Sequence, residues 1–476
     1  MLFNSFIFFI FLIVVLPLYY LLPKNLKKIH LIVASYIFYG YWDWRFCLLL
    51  AFSTVLDYFV GLIIYNTTDE KKRKFFFTVS IVINLAFLGV FKYFNFFIDS
   101  FKVLASGLGQ NVDFLHLNVV LPIGISFYTF QSMSYAIDIY RKKLTPTRSF
   151  IDYSLFVCFF PQLVAGPIQR ATDLLPQIIN LKKPTRLQIE QGIVLIITGL
   201  FKKVMIGDTT GRIVDQIFGD QTLYSSGELL MGLVLFSIQI YADFSGYSSI
   251  ARGTSKLLGV ELIKNFNQPY LSANITEFWR RWHISLSTWL RDYLYISLGG
   301  NRKGNVRTYI NLFITMLLGG LWHGANWTFL VWGGLHGIYL AIHKGITEKE
   351  KISDHFIYKN VPSTIIYGFK IFGTYLLVLF AWLFFRVKSF NEATYFITKM
   401  INWESGDYFL RLSGITAAFM ILILIYDICE YYTNSHTFLL KLKPKAAVAG
   451  ILSVLFAVVM LYIFQAEPLP FIYFQF

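Results

Sequence analysis

Charge is scarce in this chain. Only 14% of its 476 residues are Asp, Glu, Lys or Arg, too few to cover a water-soluble domain of that length. Cysteine is scarcer still. Cys47, Cys158 and Cys429 lie far apart, in or beside apolar runs. That excludes a disulfide framework and any metal-ligand spacing, so no bound metal is expected. Gly-x-Ser-x-Gly, Walker, His-Glu-x-x-His and Gly-x-Gly-x-x-Gly signatures are all missing, which removes the common soluble hydrolase, NTPase, metalloprotease and dinucleotide readings. There is no internal repeat and no low-complexity tract. Residues 1–22 form an apolar run without a basic n-region or a small-residue cleavage pattern. They read as a retained helix of about 20 residues, long enough to span, and not as a signal peptide.

Apolar residues are what the chain has in abundance: 56% of the total, with 49 Phe and 30 Tyr. The runs recur along the whole length. The expectation is an all-α polytopic membrane protein forming a single domain over residues 1–476, with about 11–13 membrane-embedded helices, re-entrant and amphipathic segments included. Acidic residues are outnumbered by basic ones, 27 to 42. The basic residues cluster in short loops and so mark the cytoplasmic side of a cell membrane, not a nucleic-acid partner.

The clusters Lys24/Lys27/Lys28 and Lys71–Lys74 frame a segment that crosses twice, turning near Trp42-Asp43-Trp44. Residues 75–98 then cross outward, 99–118 form an outer loop, and 119–140 return. Residues 150–170 are flanked by basic residues on both sides and carry Pro161, Gly166 and Pro167. A segment broken in that way reads as re-entrant. Residues 189–218 and 229–250 follow as a pair, although Lys202 and Lys203 sit awkwardly inside the first. Arg302, Lys303 and Arg307 face Lys344, Lys349 and Lys351 across about 36 residues, roughly 54 Å of helical path, enough for two short crossings with His323 at the turn. Three later crossings, 364–385, 414–428 and 446–464, put both termini outside. Arg386, Lys388, Lys399 and Arg411 do not fit this scheme.

Everything is arranged around residues 275–337. Phe278, Trp282, Leu286, Trp289, Leu290, Tyr293 and Leu294 recur at helical spacing and predict one amphipathic helix. This stretch places His283 and His323 inside a very apolar polypeptide, where an ionisable residue is a candidate for function by default. An imidazole suits proton abstraction from a hydroxyl; a histidine satisfied by a backbone carbonyl is the plainer alternative. His336 and His343 read as structural. Asp243 orders a histidine, pairs with a buried arginine, or locks two helices through an ion pair. Arg280 and Arg281 bind either cofactor phosphates or lipid headgroups.

The segments PQLVAGPIQR (161–170), DFSGYSSIARG (243–253), FWRRWHISLSTWLRDYLYISLGGNRKG (278–304) and LWHGANWTFLVWGGLHG (321–337) resemble the membrane-bound O-acyltransferase (MBOAT) superfamily. The likeness runs through most of the chain. It is strongest to the bacterial branch that holds alginate and peptidoglycan O-acetyltransferases, with teichoic-acid D-alanylation proteins beside them. The resemblance implies helices ringed around a funnel and tunnel, with His323 as the essential histidine and His283 as a second one. It implies a cytoplasmic thioester donor, acetyl-CoA, used as substrate with no permanently bound cofactor. It further implies an extracytoplasmic partner acyltransferase and a polysaccharide acceptor. D-alanyl transfer to teichoic acid, or transport of an acylated carrier without chemistry, are the alternatives. Ser249 departs from the branch, which has an acidic residue there, and is given no role. Phe471, Tyr473 and Phe476 spell Phe-x-Tyr-x-x-Phe, similar to a C-terminal motif of cell-envelope acylation systems. In that reading Tyr473 carries the acyl group; otherwise the tail is an aromatic anchor at the interface.

Overall fold

The computed structural model describes residues 1–110, 116–117, 120–164, 166–346, 361–465 and 469–474, with side chains 361–363 set aside. Ala165, Lys349, Lys351 and Phe476, used in the readings above, lie outside the described residues, as do 118 and 119 at the expected loop boundary. All regular structure among the described residues is helical. Among the described residues, six helices are long and apolar enough to cross a membrane: Arg45–Asn66, Glu70–Gly107, Ser226–Leu257, Thr364–Arg386, Phe409–Thr433 and Lys445–Gln465. Backbone groups satisfied within each helix are what lipid demands of a spanning segment. The protein is a multi-pass membrane protein.

Internal contacts divide the chain into two units, 1–193 with 251–263, and 194–250 with 264–476. In the first, the N-terminal helix is Phe6–Leu21, 16 residues with Pro17 inside. At 1.5 Å per residue it is about 24 Å long, short of a hydrocarbon core of about 30 Å. The expected full span at residues 1–22 is therefore corrected to a shorter helix, because Ser5 and Pro23 bound it. The turn at residues 41–44 falls where the sequence placed it, between Lys24–Gly40 and Arg45–Asn66. The Glu70–Gly107 helix continues through a π segment, Gly89–Tyr93, and takes up residues 99–107 of the loop expected at 99–118, of which 111–115 and 118 lie outside the described residues.

Residues 150–170 are broken as expected. Phe150–Cys158 ends, and a four-residue turn of helix, Phe160–Leu163, follows. The Phe156 carbonyl at the break accepts from Gln131 (2.7 Å) and Gln162 (2.6 Å), so the irregular backbone stays satisfied. Gly124, at φ +77°, starts the Ile125–Tyr140 helix so close to this element that a Cβ there would lie 2.5 Å from the Leu163 carbonyl. Lys28 pairs with Asp152 at 2.5 Å, which ties the Lys24–Gly40 helix to Phe150–Cys158.

In the second unit, Asn305–His323 and Trp327–Ile346 form a tight hairpin. Small residues allow its approach: a Cβ on Gly320 would lie 2.2 Å from the Phe329 carbonyl, and one on Gly333 2.3 Å from the Met316 carbonyl. This is the small-residue packing by which helices associate in lipid. Arg386, a misfit in the charge scheme, ends the Val361–Arg386 helix paired with Asp215 at 2.9 Å and lies over the Phe218 ring. Lys399 belongs to a short helix the hydropathy did not foresee, Phe390–Ile401.

The single amphipathic helix expected through residues 278–294 is corrected. Ile275–Arg281 stops, His283 takes a left-handed conformation (φ +40°, ψ +55°), and Ile284–Trp289 starts anew, running into a π segment, Leu290–Tyr295. The break is held by a neighbouring extended strip. Ile284 N–H donates to the Asn265 carbonyl (2.8 Å), Ser285 Oγ to Asn265 Oδ1 (2.6 Å), and Asn267 N–H to the Arg281 carbonyl (3.0 Å). Apolar spacing continues through the break, so periodicity alone could not register it.

Candidate active site

The left-handed turn places the His283 ring deep in the second unit. A non-glycine residue in that region costs on the order of 1–3 kcal/mol, and such residues concentrate at functional sites. His283 is fully buried, and His323, the last residue of its helix before Gly324, is 2% exposed. Their ring centroids are 6.1 Å apart. Trp322 packs on both, at 5.9 Å from His283 and 5.0 Å from His323. Trp332 meets His323 edge-on at 5.0 Å and Phe385 does so at 5.4 Å. Phe244 meets His283 at 4.7 Å. The two imidazoles therefore share a buried aromatic box.

The third member of the box is the tail. Phe471 begins a 3-10 turn, Ile472–Phe474, closed by Phe474 N–H donating to the Phe471 carbonyl at 2.9 Å. The Tyr473 ring lies 5.2 Å from His323 and 6.3 Å from His283, centroid to centroid. It also packs on Phe244 at 4.8 Å and stacks on Phe471 at 5.2 Å. Tyr473 is 9% exposed, and its hydroxyl makes no hydrogen bond among the described residues. The ring contact sets a phenol beside an imidazole in a buried site. The structure thus brings together His283, His323 and Tyr473, three groups drawn from three separate parts of the sequence.

Asp243 stands one step behind. Its Oδ1 lies 2.5 Å from Lys203 Nζ, and its Oδ2 accepts from the Ile472 backbone N–H at 2.7 Å. Of the three alternatives, the ion pair between two helical segments is the one observed: the partners are a lysine and a tail amide, neither a histidine nor an arginine. Arg281 is directed elsewhere, onto Glu277 at 2.6 Å and over the Tyr431 ring at 5.5 Å. Arg280 is exposed at the end of the same helix. His336 accepts from Trp279 Nε1 at 3.2 Å, and His343 lies 2.9 Å from Thr276 Oγ1.

Sequence reasoning missed Lys203 as a site residue, together with Asp208, which pairs with it at 2.6 Å. It also missed a buried polar cluster at Lys202, where Glu430 lies at 3.5 Å and receives Gln268 Nε2 at 2.8 Å. Beside that cluster, Tyr241 OH donates to Asp427 at 2.8 Å. The signal was present. Two adjacent lysines inside an apolar run demand buried countercharges, although the run does not say which acids supply them.

The fold and this site define a polytopic membrane protein built around a buried histidine pair. The family described as MBOAT, membrane-bound O-acyltransferase, matches residues 141–385. "Probable alginate O-acetylase AlgI" of Azotobacter vinelandii is 41% identical over 453 residues, covering 92% of this chain and 87% of that protein. "Peptidoglycan O-acetyltransferase" of Helicobacter pylori is 36% identical, with 84% and 80% covered. "Teichoic acid D-alanyltransferase" of Streptococcus thermophilus is more distant, 28% identical over 48% of this chain and 58% of its own. The chain belongs to the membrane-bound O-acyltransferase family, and it is an O-acyltransferase.

Proposed function

We propose that this protein moves an acetyl group from a cytoplasmic thioester, acetyl-CoA, across the membrane for O-acetylation of a cell-envelope or secreted polysaccharide. One observation supports the chemistry: the Tyr473 phenol and the His323 imidazole share a buried aromatic box with ring centroids 5.2 Å apart. In the first step His323 takes the phenolic proton as the oxygen attacks the thioester carbonyl. The C–S bond breaks, the proton passes to the sulfur, and the products are acetyl-Tyr473 and free thiol. In the second step an acceptor hydroxyl attacks the ester, the C–O bond to the phenol breaks, and the acceptor's proton returns the tyrosine. His283 orients or polarises the carbonyl. Exposed Arg280 is the candidate for the donor's phosphates. An extracytoplasmic partner acyltransferase completes delivery to the polymer. The named activities of the alginate and peptidoglycan relatives support acetyl over D-alanyl as the group moved.

The test is turnover by purified protein supplied with labelled acetyl-CoA and, separately, with a D-alanyl carrier-protein thioester. New ester from acetyl-CoA is expected. New ester from the D-alanyl donor alone would move the assignment to teichoic acid, and no ester from either would leave a transporter. Both termini are proposed to lie outside, in an inner or cytoplasmic membrane. Cysteine tags carried on flexible extensions near Asn4 and on the tail, clear of the buried residues there, should then react with an impermeant reagent in intact cells. Protection of both tags would invert the orientation.

A further inference from the structure

We propose that Lys203, Asp208 and Asp243 form an anchor for the backbone of the C-terminal segment, and that this anchor sets the register at which Tyr473 meets His323. Its effect on turnover rests on the reading of His323 and Tyr473 given above; the docking itself stands on the contacts alone.

Lys203 is 1% exposed, and one ammonium faces two carboxylates, Asp208 at 2.6 Å and Asp243 at 2.5 Å. A buried carboxylate must be satisfied with hydrogen-bond donors. The Ile472 N–H supplies one, at 2.7 Å from Asp243 Oδ2. Lys203 Nζ in turn lies 3.5 Å from the Pro470 carbonyl. A single ion-pair cluster therefore engages one acceptor and one donor on the tail, two residues apart. Both are backbone groups, so the anchor fixes register whatever the side chains.

The local helix geometry makes the cluster possible. Residues five apart on an α-helix point about 140° away from each other. Lys203 and Asp208 sit instead in a π segment, Phe201–Asp208, whose wider turn brings them together. Gly207 then lets this segment press on residue 243: a Cβ there would lie 3.1 Å from the Asp243 nitrogen. Phe244, the next residue, packs on Phe471 at 5.2 Å and on Tyr473 at 4.8 Å. Residue 243 thus holds the tail's backbone while residue 244 holds its rings. Because 471–474 form one turn, fixing the amide of 472 fixes the direction of the next side chain. The anchoring residues position the tyrosine without touching the reacting atoms.

The test reads tail docking separately from chemistry. In a Phe474→Cys protein, reaction with a small maleimide is followed by mass spectrometry of the tail peptide. Labelling is expected to be slow. Ile472→Pro deletes the anchored N–H from the tail side and leaves the transmembrane segments untouched. It should speed labelling by about 10-fold or more, the weight of a charge-assisted hydrogen bond in a docking equilibrium. Asp243→Asn should do the same, while Ile472→Ala, which keeps the N–H, should label as slowly as its parent. In Ile472→Pro, kcat should fall by about 10²-fold, as misplacement of a reacting group does, with the KM for donor unchanged. Labelling of Ile472→Pro at the parent rate would overturn the anchor. Faster labelling alongside a fully active Tyr473→Phe would uphold the anchor and remove the acyl relay.

Discussion

Replacing His323 by alanine should lower acyl transfer by at least about 10²-fold, the lower bound for losing a general base, while the protein stays folded in the membrane. The side chain packs between Trp322, Trp332 and Phe385, so truncation also opens a void. His323→Phe separates the two effects. It keeps a flat ring in the aromatic box and carries no basic nitrogen. Activity as low as in the alanine variant, with thermal stability nearer the wild type, is the expected result in membrane-extracted protein. His283→Ala should cost less turnover, but it also strains a backbone held at φ +40°. His283→Asn is the cleaner comparison, because asparagine tolerates that conformation.

The second large effect is expected from Tyr473→Phe, which removes one oxygen. An aromatic anchor tolerates that loss, whereas an acyl relay stops, so transfer to polymer should fall to background. Stability should be unchanged or slightly raised. The phenol makes no hydrogen bond among the described residues, and deleting a buried, unsatisfied hydroxyl removes a desolvation cost. The comparison needs two assays on the same preparation: polymer O-acetylation, and a thermal melt. Full acetylation by the phenylalanine variant would leave His323 acting directly on another acceptor.

The sequence made much of this legible for physical reasons. Apolar runs bounded by basic clusters located most helices, because lipid imposes both the length and the flanking charge. His323 stood out because an imidazole deep in an apolar hairpin is costly unless it is used. Three features lay beyond reach. The kink at His283 depends on hydrogen bonds accepted by Asn265 and donated by Asn267, which leave no mark on the periodicity of 278–294. The pairing of Lys203 with Asp243 links residues 40 positions apart, and its pairing with Asp208 depends on a π turn that no propensity announces. Tyr473 carried a sequence motif, yet nothing in the tail itself says that it folds onto residues 244, 283 and 323. Conversely, the two adjacent lysines in an apolar run were noticed as misfits of topology, when they were signs of buried acids.

One measurement bears most directly on the pairing of His323 with Tyr473. Purified protein is mixed with labelled acetyl-CoA in the absence of acceptor, quenched after a single turnover, and digested for mass spectrometry of the tail peptide. The predicted result is an acetyl ester on the Tyr473 oxygen in the wild type, discharged when acceptor and partner are added, and none in His323→Ala. Wild-type-like turnover by His323→Ala, or efficient polymer acetylation with no label ever found on Tyr473, would contradict it.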